Sequence, residues 1–176
     1  AELQLHPELV HDTELWVRFT ESIVTGMGGD PVLSRSCAVE LVREWERHEN
    51  FFLYDDTLPT LAELRRHGLR IGLVSNGQRD LDEFARHHSL DVDVCVGSLR
   101  HGHVKPHRSI FEAALTALDT GPEDAAMVGD SFADDIAGAR ALGMRAILLD
   151  RDGLHVAEPD RIDTLLALPA ALGLTP

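Results

Sequence analysis

Three short stretches carry residues whose types and spacing suit the handling of a phosphoryl group. The apolar run 71–74 leads into Ser75, Asn76 and Gly77. A hydroxyl beside backbone N–H groups, just before a helix, can cradle phosphate oxygens, and the same residues can equally serve as the polar cap of that helix. The run 125–128 leads into Gly129 and Asp130, with Asp134 and Asp135 close behind. Carboxylates that near to one another repel unless a cation sits among them. Hard oxygen donors in small number suit Mg2+, which keeps several of its waters. Capping of the following helix accounts for one or two of these aspartates but not for all three. The third stretch centres on Lys105, the single lysine among sixteen basic residues, set directly before Pro106. A compact ammonium on a flexible stem does not do what a planar guanidinium does, so the lone lysine is either compositional drift or a deliberate point charge. Metal and ammonium together would neutralise a phosphoryl group while the hydroxyl orients it.

Such residues need strand ends to hold them. From residue 57 onward helical and strand patterns alternate. Leu58, Leu61 and Leu64 predict a helix ending at Gly68, and Leu81, Phe84 and Ala85 another. Ile110, Phe111, Ala114, Leu115 and Leu118 predict a third, and residues 132–142 a fourth that ends at Gly143. Between them, 71–74, 92–96, 125–128 and 146–149 read as short buried strands. The alternation predicts an α/β fold, a doubly wound parallel sheet covered by helices, with ligands at the carboxyl ends of the strands. The tail after Asp150 is less regular.

Residues 1–50 read differently. Leu15, Trp16, Phe19, Ile23 and Met27 recur at helical spacing until Gly26, Gly28 and Gly29 stop the segment. Asp30 then caps a second helix with Pro31 at its first position and an apolar stripe of Leu33, Cys37, Leu41, Val42 and Trp45. The result is a helical hairpin too small to be a domain, read as an accessory lobe.

The formal charge of −14 argues against a nucleic-acid backbone or an anionic membrane as partner. No apolar run approaches the roughly 20 residues a membrane helix needs, and two cysteines, Cys37 and Cys95, form no disulfide framework, which suits a cytoplasmic setting.

Ser75, Lys105 in its Lys-Pro-His-Arg-Ser-Ile-Phe setting, and Gly129-Asp130 with Asp135 resemble, in order and spacing, the second, third and fourth motifs of the haloacid-dehalogenase superfamily. The resemblance covers essentially the whole chain. It implies a Rossmann-like core over 51–176 and a partial helical cap over 1–50. It also implies a Mg2+-dependent hydrolase of small phosphate monoesters that works through an aspartyl-phosphate. Ser75 would bind the transferring phosphoryl oxygen with help from Asn76 and Gly77, and Lys105 would stabilise the nucleophile. Asp130 would hold Mg2+, and Asp135 would ligate it or position its waters.

The family's first motif, Asp-x-Asp-x-Thr, has no match here. The nearest stretch runs from Phe51 to Asp55, Asp56 and Thr57, with Pro59 where threonine is wanted. It resembles the family's return from cap to core. The resemblance therefore implies a core lacking its first strand, with the nucleophile on an upstream segment and the chain as given inactive. Two rivals share the fold: a haloacid dehalogenase, which needs no Mg2+ and lacks the acidic pair of the fourth motif, and a non-catalytic binding protein. A receiver-like signalling domain places its acidic cluster before the hydroxyl and lysine, the reverse of the order here. His101, His103 and His107 flank Lys105 as either a transition-metal set or a solvated loop.

Overall fold

The computed structural model describes residues 9–174, so the first eight residues of the expected cap lie outside it. Helix α1 (Thr13–Gly26) starts where the Asp12 carboxylate accepts the Glu14 N–H, and α2 (Pro31–Glu44) where Asp30 accepts that of Val32. The two pack as the expected hairpin, and Val42 and Trp45 of the predicted α2 stripe join its core, but the other three members of that stripe do not. On α2 the residues turned inward are Ser34, Ala38 and Val42, while Leu33, Cys37 and Leu41 face out. Small residues let the helices approach closely, and the Ser34 hydroxyl is satisfied by the Asp30 carbonyl at 2.8 Å. Trp16 and Trp45 meet edge to face, 6.0 Å apart, against this small core, so they belong to the hairpin's own packing.

Helix α3 (Thr57–Arg66) begins the alternating part. It is followed by β1 (Gly72–Ser75), α4 (Leu81–His87), β2 (Val94–Gly97), α5 (Ser98–His101) and α6 (Arg108–Ala117). Then come β3 (Ala126–Gly129), α7 (Ala137–Ala141), β4 (Arg145–Leu149), β5 (Arg161–Ile162) and α8 (Leu168–Ala171). Every ladder is parallel: β1 with β2, β3 with β4, β4 with β5. The predicted strands are present with ends displaced by one or two residues. By contrast α5, β5 and α8 span too few residues to leave a periodic signal.

Helices cover both faces, as a doubly wound sheet requires. On one face Ile110 and Phe111 of α6 pack with Ile136, Ala139 and Leu148 against Val74, Val96 and Met127. On the other, Leu64 of α3 and Leu168 of α8 pack with Ile147 and Ile162 against Ile71 and Val128. Both cores therefore run across the β1–β2 pair and the β3–β4–β5 triplet alike, yet among the described residues no ladder joins β1 to β3. Burial reflects this. Ala146, Ile147 and Leu148 of β4, which has a neighbour on each side, are buried, whereas β1 and β3 stay partly exposed. Among the described residues no helix is long and apolar enough to cross a membrane.

Candidate active site

Ser75 is the last residue of β1, and its Oγ accepts the Gly77 N–H at 3.1 Å. The serine and the turn after it are thus locked together at the carboxyl end of the strand. The Asn76 side chain is turned elsewhere: it donates to the Lys105 carbonyl at 3.0 Å and accepts the Lys105 N–H at 2.7 Å. That two-point clasp fixes the lysine backbone, whose bond to Pro106 is cis. Among the residues read as phosphate-binding, Asn76 therefore engages the lysine through its side chain.

Lys105 lies where the two parts of the sheet meet. Its Nζ donates to the Val74 carbonyl of β1 at 3.0 Å and to Asp135 Oδ1 at 2.6 Å. The pair is withdrawn from water, with side chains 11% and 3% exposed. The second oxygen of Asp135 accepts the Ser131 N–H at 3.0 Å. Reaching inward this far shapes the chain. Residues 132–136 are not the start of the predicted α-helix but a wide π turn, in which both Asp135 N–H and Ile136 N–H reach the Ser131 carbonyl. Ser131 Oγ caps the turn by accepting the Asp134 N–H at 3.1 Å. Gly129 is needed here because a methyl group on it would fall inside the Asp135 side chain.

Asp130 stands exposed at the end of β3, within electrostatic reach of Arg151. Its free carboxylate has the hard-oxygen character that Mg2+ takes. Asp135, with one oxygen on Lys105 and the other on Ser131, is already committed. Among the described residues no three histidine, cysteine or carboxylate side chains converge as a metal-binding group. The histidines are neither a metal set nor fully solvated. His101 Nε2 and His107 Nδ1 each hydrogen-bond with Ser109 Oγ, at 2.9 and 2.8 Å, and His103 stacks on His107 at 4.1 Å. Burial, with His103 and His107 alongside, pulls the His101 pKa down.

The Asp55–Asp56 stretch forms a different construction. Arg151 grips Asp56 with two bonds of 2.8 and 2.9 Å, and the Thr164 hydroxyl and Leu165 N–H add two more. The Arg151 guanidinium also lies 4.0 Å over the Tyr54 ring. The Arg151 bonds hold the Asp56 carboxyl well below the usual carboxylate range. An aspartate engaged at both oxygens, three of the four bonds falling on Oδ2, fastens the chain entering α3 to the segment after β4, which suits a structural tie better than phosphoryl attack.

One residue here gave no signal in the sequence. Of the fifteen arginines, twelve pair with carboxylates, and Arg70 and Arg145 donate to backbone carbonyls. Arg79, in the loop after β1, has neither kind of partner among the described residues. Its guanidinium lies 3.5 Å over the Phe51 ring and 5.2 Å from that of Phe84. Its Nε is buried without a hydrogen-bond partner, a state that costs about 1–3 kcal/mol, and desolvation lowers its pKa.

Residues 11–143 match the family model for haloacid dehalogenase-like hydrolases. The chain is 38% identical over 143 residues to a phosphoserine phosphatase of Thermus thermophilus, covering 76% of this chain and 53% of that protein. It is 36% identical over 115 residues to a glyceraldehyde 3-phosphate phosphatase of Methanothermobacter thermautotrophicus, covering 62% of this chain and 50% of that one. The chain thus spans about half the length of the curated relatives it matches. Among solved structures, a 2-haloacid dehalogenase from Pseudomonas syringae superposes with a TM-score of 0.66 at 25% identity, over 92% of this chain and 71% of that one. A HAD phosphatase from Thermococcus onnurineus also gives 0.66, at 22% identity over 94% of each chain, which speaks to the fold.

Proposed function

The chain belongs to the haloacid dehalogenase-like hydrolase family, and on that premise we propose that it is the phosphate- and metal-binding part of a Mg2+-dependent phosphatase acting on small phosphate monoesters. The observation that carries the reading is the placement of Lys105. Its ammonium bridges the Val74 carbonyl and Asp135 at the junction of the two sheet parts, at the edge where Ser75 ends β1 and Asp130 follows β3.

In this reading Ser75 Oγ and the N–H groups of the following turn bind the oxygens of the phosphoryl group. Lys105, held by Asn76 and Asp135, neutralises charge as that group is transferred. Asp130 would hold Mg2+, and Asp135, which positions the lysine, would also position waters around the ion; when bound, the ion would supply further charge neutralisation. The acceptor is an aspartate on a strand from an upstream segment that inserts between β1 and β3. That slot is supported by the partly exposed edges of those strands and by the two cores that span it. Without that strand the chain is inactive. The α1–α2 hairpin acts as the cap. Its entry is tied to the loops at the site, where Thr13 donates to Gln78 at 3.0 Å, His11 hydrogen-bonds with Ser98 at 2.8 Å, and Val10 bridges His103.

Hydrolysis of an aryl phosphate by the complete protein with Mg2+ is the test. Lys105→Ala should lower kcat by roughly 10²-fold or more, and Asp130→Asn should weaken Mg2+ binding by calorimetry. Halide release from a 2-haloacid without Mg2+ would replace this reading with the dehalogenase. A complete protein that binds phosphate but turns nothing over would replace it with a binding module.

A further inference from the structure

Arg79 sits in the loop that leaves β1, at the ligand-facing end of a parallel sheet. A Cβ built on Gly77 would stand 3.2 Å from Ser75 Oγ and 3.9 Å from Arg79 Nε, so the arginine borders the turn that carries the phosphate hydroxyl. In a chain of net charge −14, carboxylates to pair with are plentiful. The two acids next along the chain are taken by another cation: Arg100 bonds both Asp80 and Asp82. Phe51 and Phe84, 6.4 Å apart and edge to face, back the guanidinium with apolar surface. Stacking on these rings offsets part of the cost of withdrawing the charge from water but leaves its directional N–H donors unused. Phe51 belongs to the link between the hairpin and the core, so the guanidinium rests on the segment that joins the two.

We propose that Arg79 binds a second anionic group of the substrate, so that the phosphate monoester taken by this site also bears a carboxylate or a second phosphate. The proposal rests on the phosphatase reading of Ser75, Lys105 and Asp130. A guanidinium fork backed by aromatic rings suits either anion by paired, charge-assisted bonds, and the missing partner is then the ligand itself.

The experiment compares three esters with the complete protein and Mg2+: 2-phosphoglycolate, 1,2-ethanediol bisphosphate and ethyl phosphate, which lacks the second charge. Wild type should favour one doubly anionic ester over ethyl phosphate by about tenfold or more in kcat/KM, and which one identifies the anion. Arg79→Gln should erase most of that preference through KM, and Arg79→Lys should restore part of it. Equal treatment of the three esters by wild type, or an equal loss on all three in Arg79→Gln, would overturn the proposal. Should no ester be hydrolysed, the phosphatase reading fails and Arg79 is judged by binding. The Arg79 Nε–H resonance of the wild-type protein should then shift with 2-phosphoglycolate or the bisphosphate but not with ethyl phosphate. A resonance that no ester moves would overturn the proposal independently of activity.

Discussion

Asp56–Arg151, beyond the end of β4, and Lys105–Asp135, between β1 and β3, are both ion pairs drawn away from water, and they are built on opposite plans. Asp56 accepts four bonds, and its cation is a planar fork pinned at two points and stacked on Tyr54. Every group there has its partner within the protein. Lys105 is a point charge with two partners for three donors, held at its backbone by Asn76 and standing at the edge where strands end. The first arrangement contributes cohesion between distant segments. The second keeps a charge in place with one donor in reserve, which is what binding an anion requires.

Breaking the saturated pair should have the largest effect. Asp56→Ala leaves Arg151, Thr164 and Leu165 without their acceptor, and removing one partner of such a pair costs about 3–5 kcal/mol. Urea unfolding should show the loss as a lower midpoint at unchanged slope. The effect should also depend on pH. The folded-state pKa of Asp56 is depressed by its bonds to Arg151, so its contribution is present above the unfolded value of about 3.9 and fades as pH falls through the acid range below it. The stability gap between wild type and Asp56→Ala should narrow below about pH 4. A gap that stays constant down to pH 2 would mean the carboxylate charge is not what matters there.

Gly129→Ala probes the other pair with a smaller cost. A methyl at this position would meet the Asp135 Cβ at 2.7 Å and overlap its carboxylate. Relief requires Asp135 to move, and Lys105 with it. Overpacking of this kind costs about 1–3 kcal/mol, whereas displacing a charge stabiliser by an ångström costs on the order of 10²-fold in rate. In the complete protein, turnover should therefore fall further than the stability change alone explains. Equal catalysis by the alanine variant would show that the Lys105–Asp135 geometry tolerates displacement.

The difference between the pairs also marks what the sequence could and could not convey. Ser75 and the cluster Asp130, Asp134 and Asp135 stood out because each follows a buried apolar run, and Lys105 because it is the single lysine, set before Pro106; strand ends of a parallel sheet converge on one edge, where Lys105 meets Asp135. The wide turn at 132–136 did not stand out, because periodicity sees apolar residues and not the pull of Asp135 toward a lysine thirty positions away. The α2 stripe was read correctly at Val42 and Trp45 but one residue off at Leu33, Cys37 and Leu41, because leucine is more apolar than the Ser34 and Ala38 that close packing selects. Asp56 was visible as an acid, but its role depends on Arg151, 95 residues downstream. Arg79 was one arginine of fifteen, and what sets it apart is a missing partner, a property that exists only in three dimensions.

The finest test of the comparison exchanges the two cations. Arg151→Lys keeps the charge but loses the fork, so one of two bonds to Asp56 disappears along with the stacking on Tyr54. A lost charge-assisted bond is worth about 1.5 kcal/mol, and the change should appear in the urea midpoint. Lys105→Arg keeps the charge but spreads it over a longer, planar group that cannot reach the Val74 carbonyl and Asp135 from the same point. Its main effect should be a loss of about tenfold in kcat, equivalent to about 1.4 kcal/mol of transition-state stabilisation. The two variants should thus register in different assays, one in stability and the other in turnover. Wild-type turnover in Lys105→Arg would mean that any cation serves between β1 and β3, and the single lysine of this chain would then be a matter of composition.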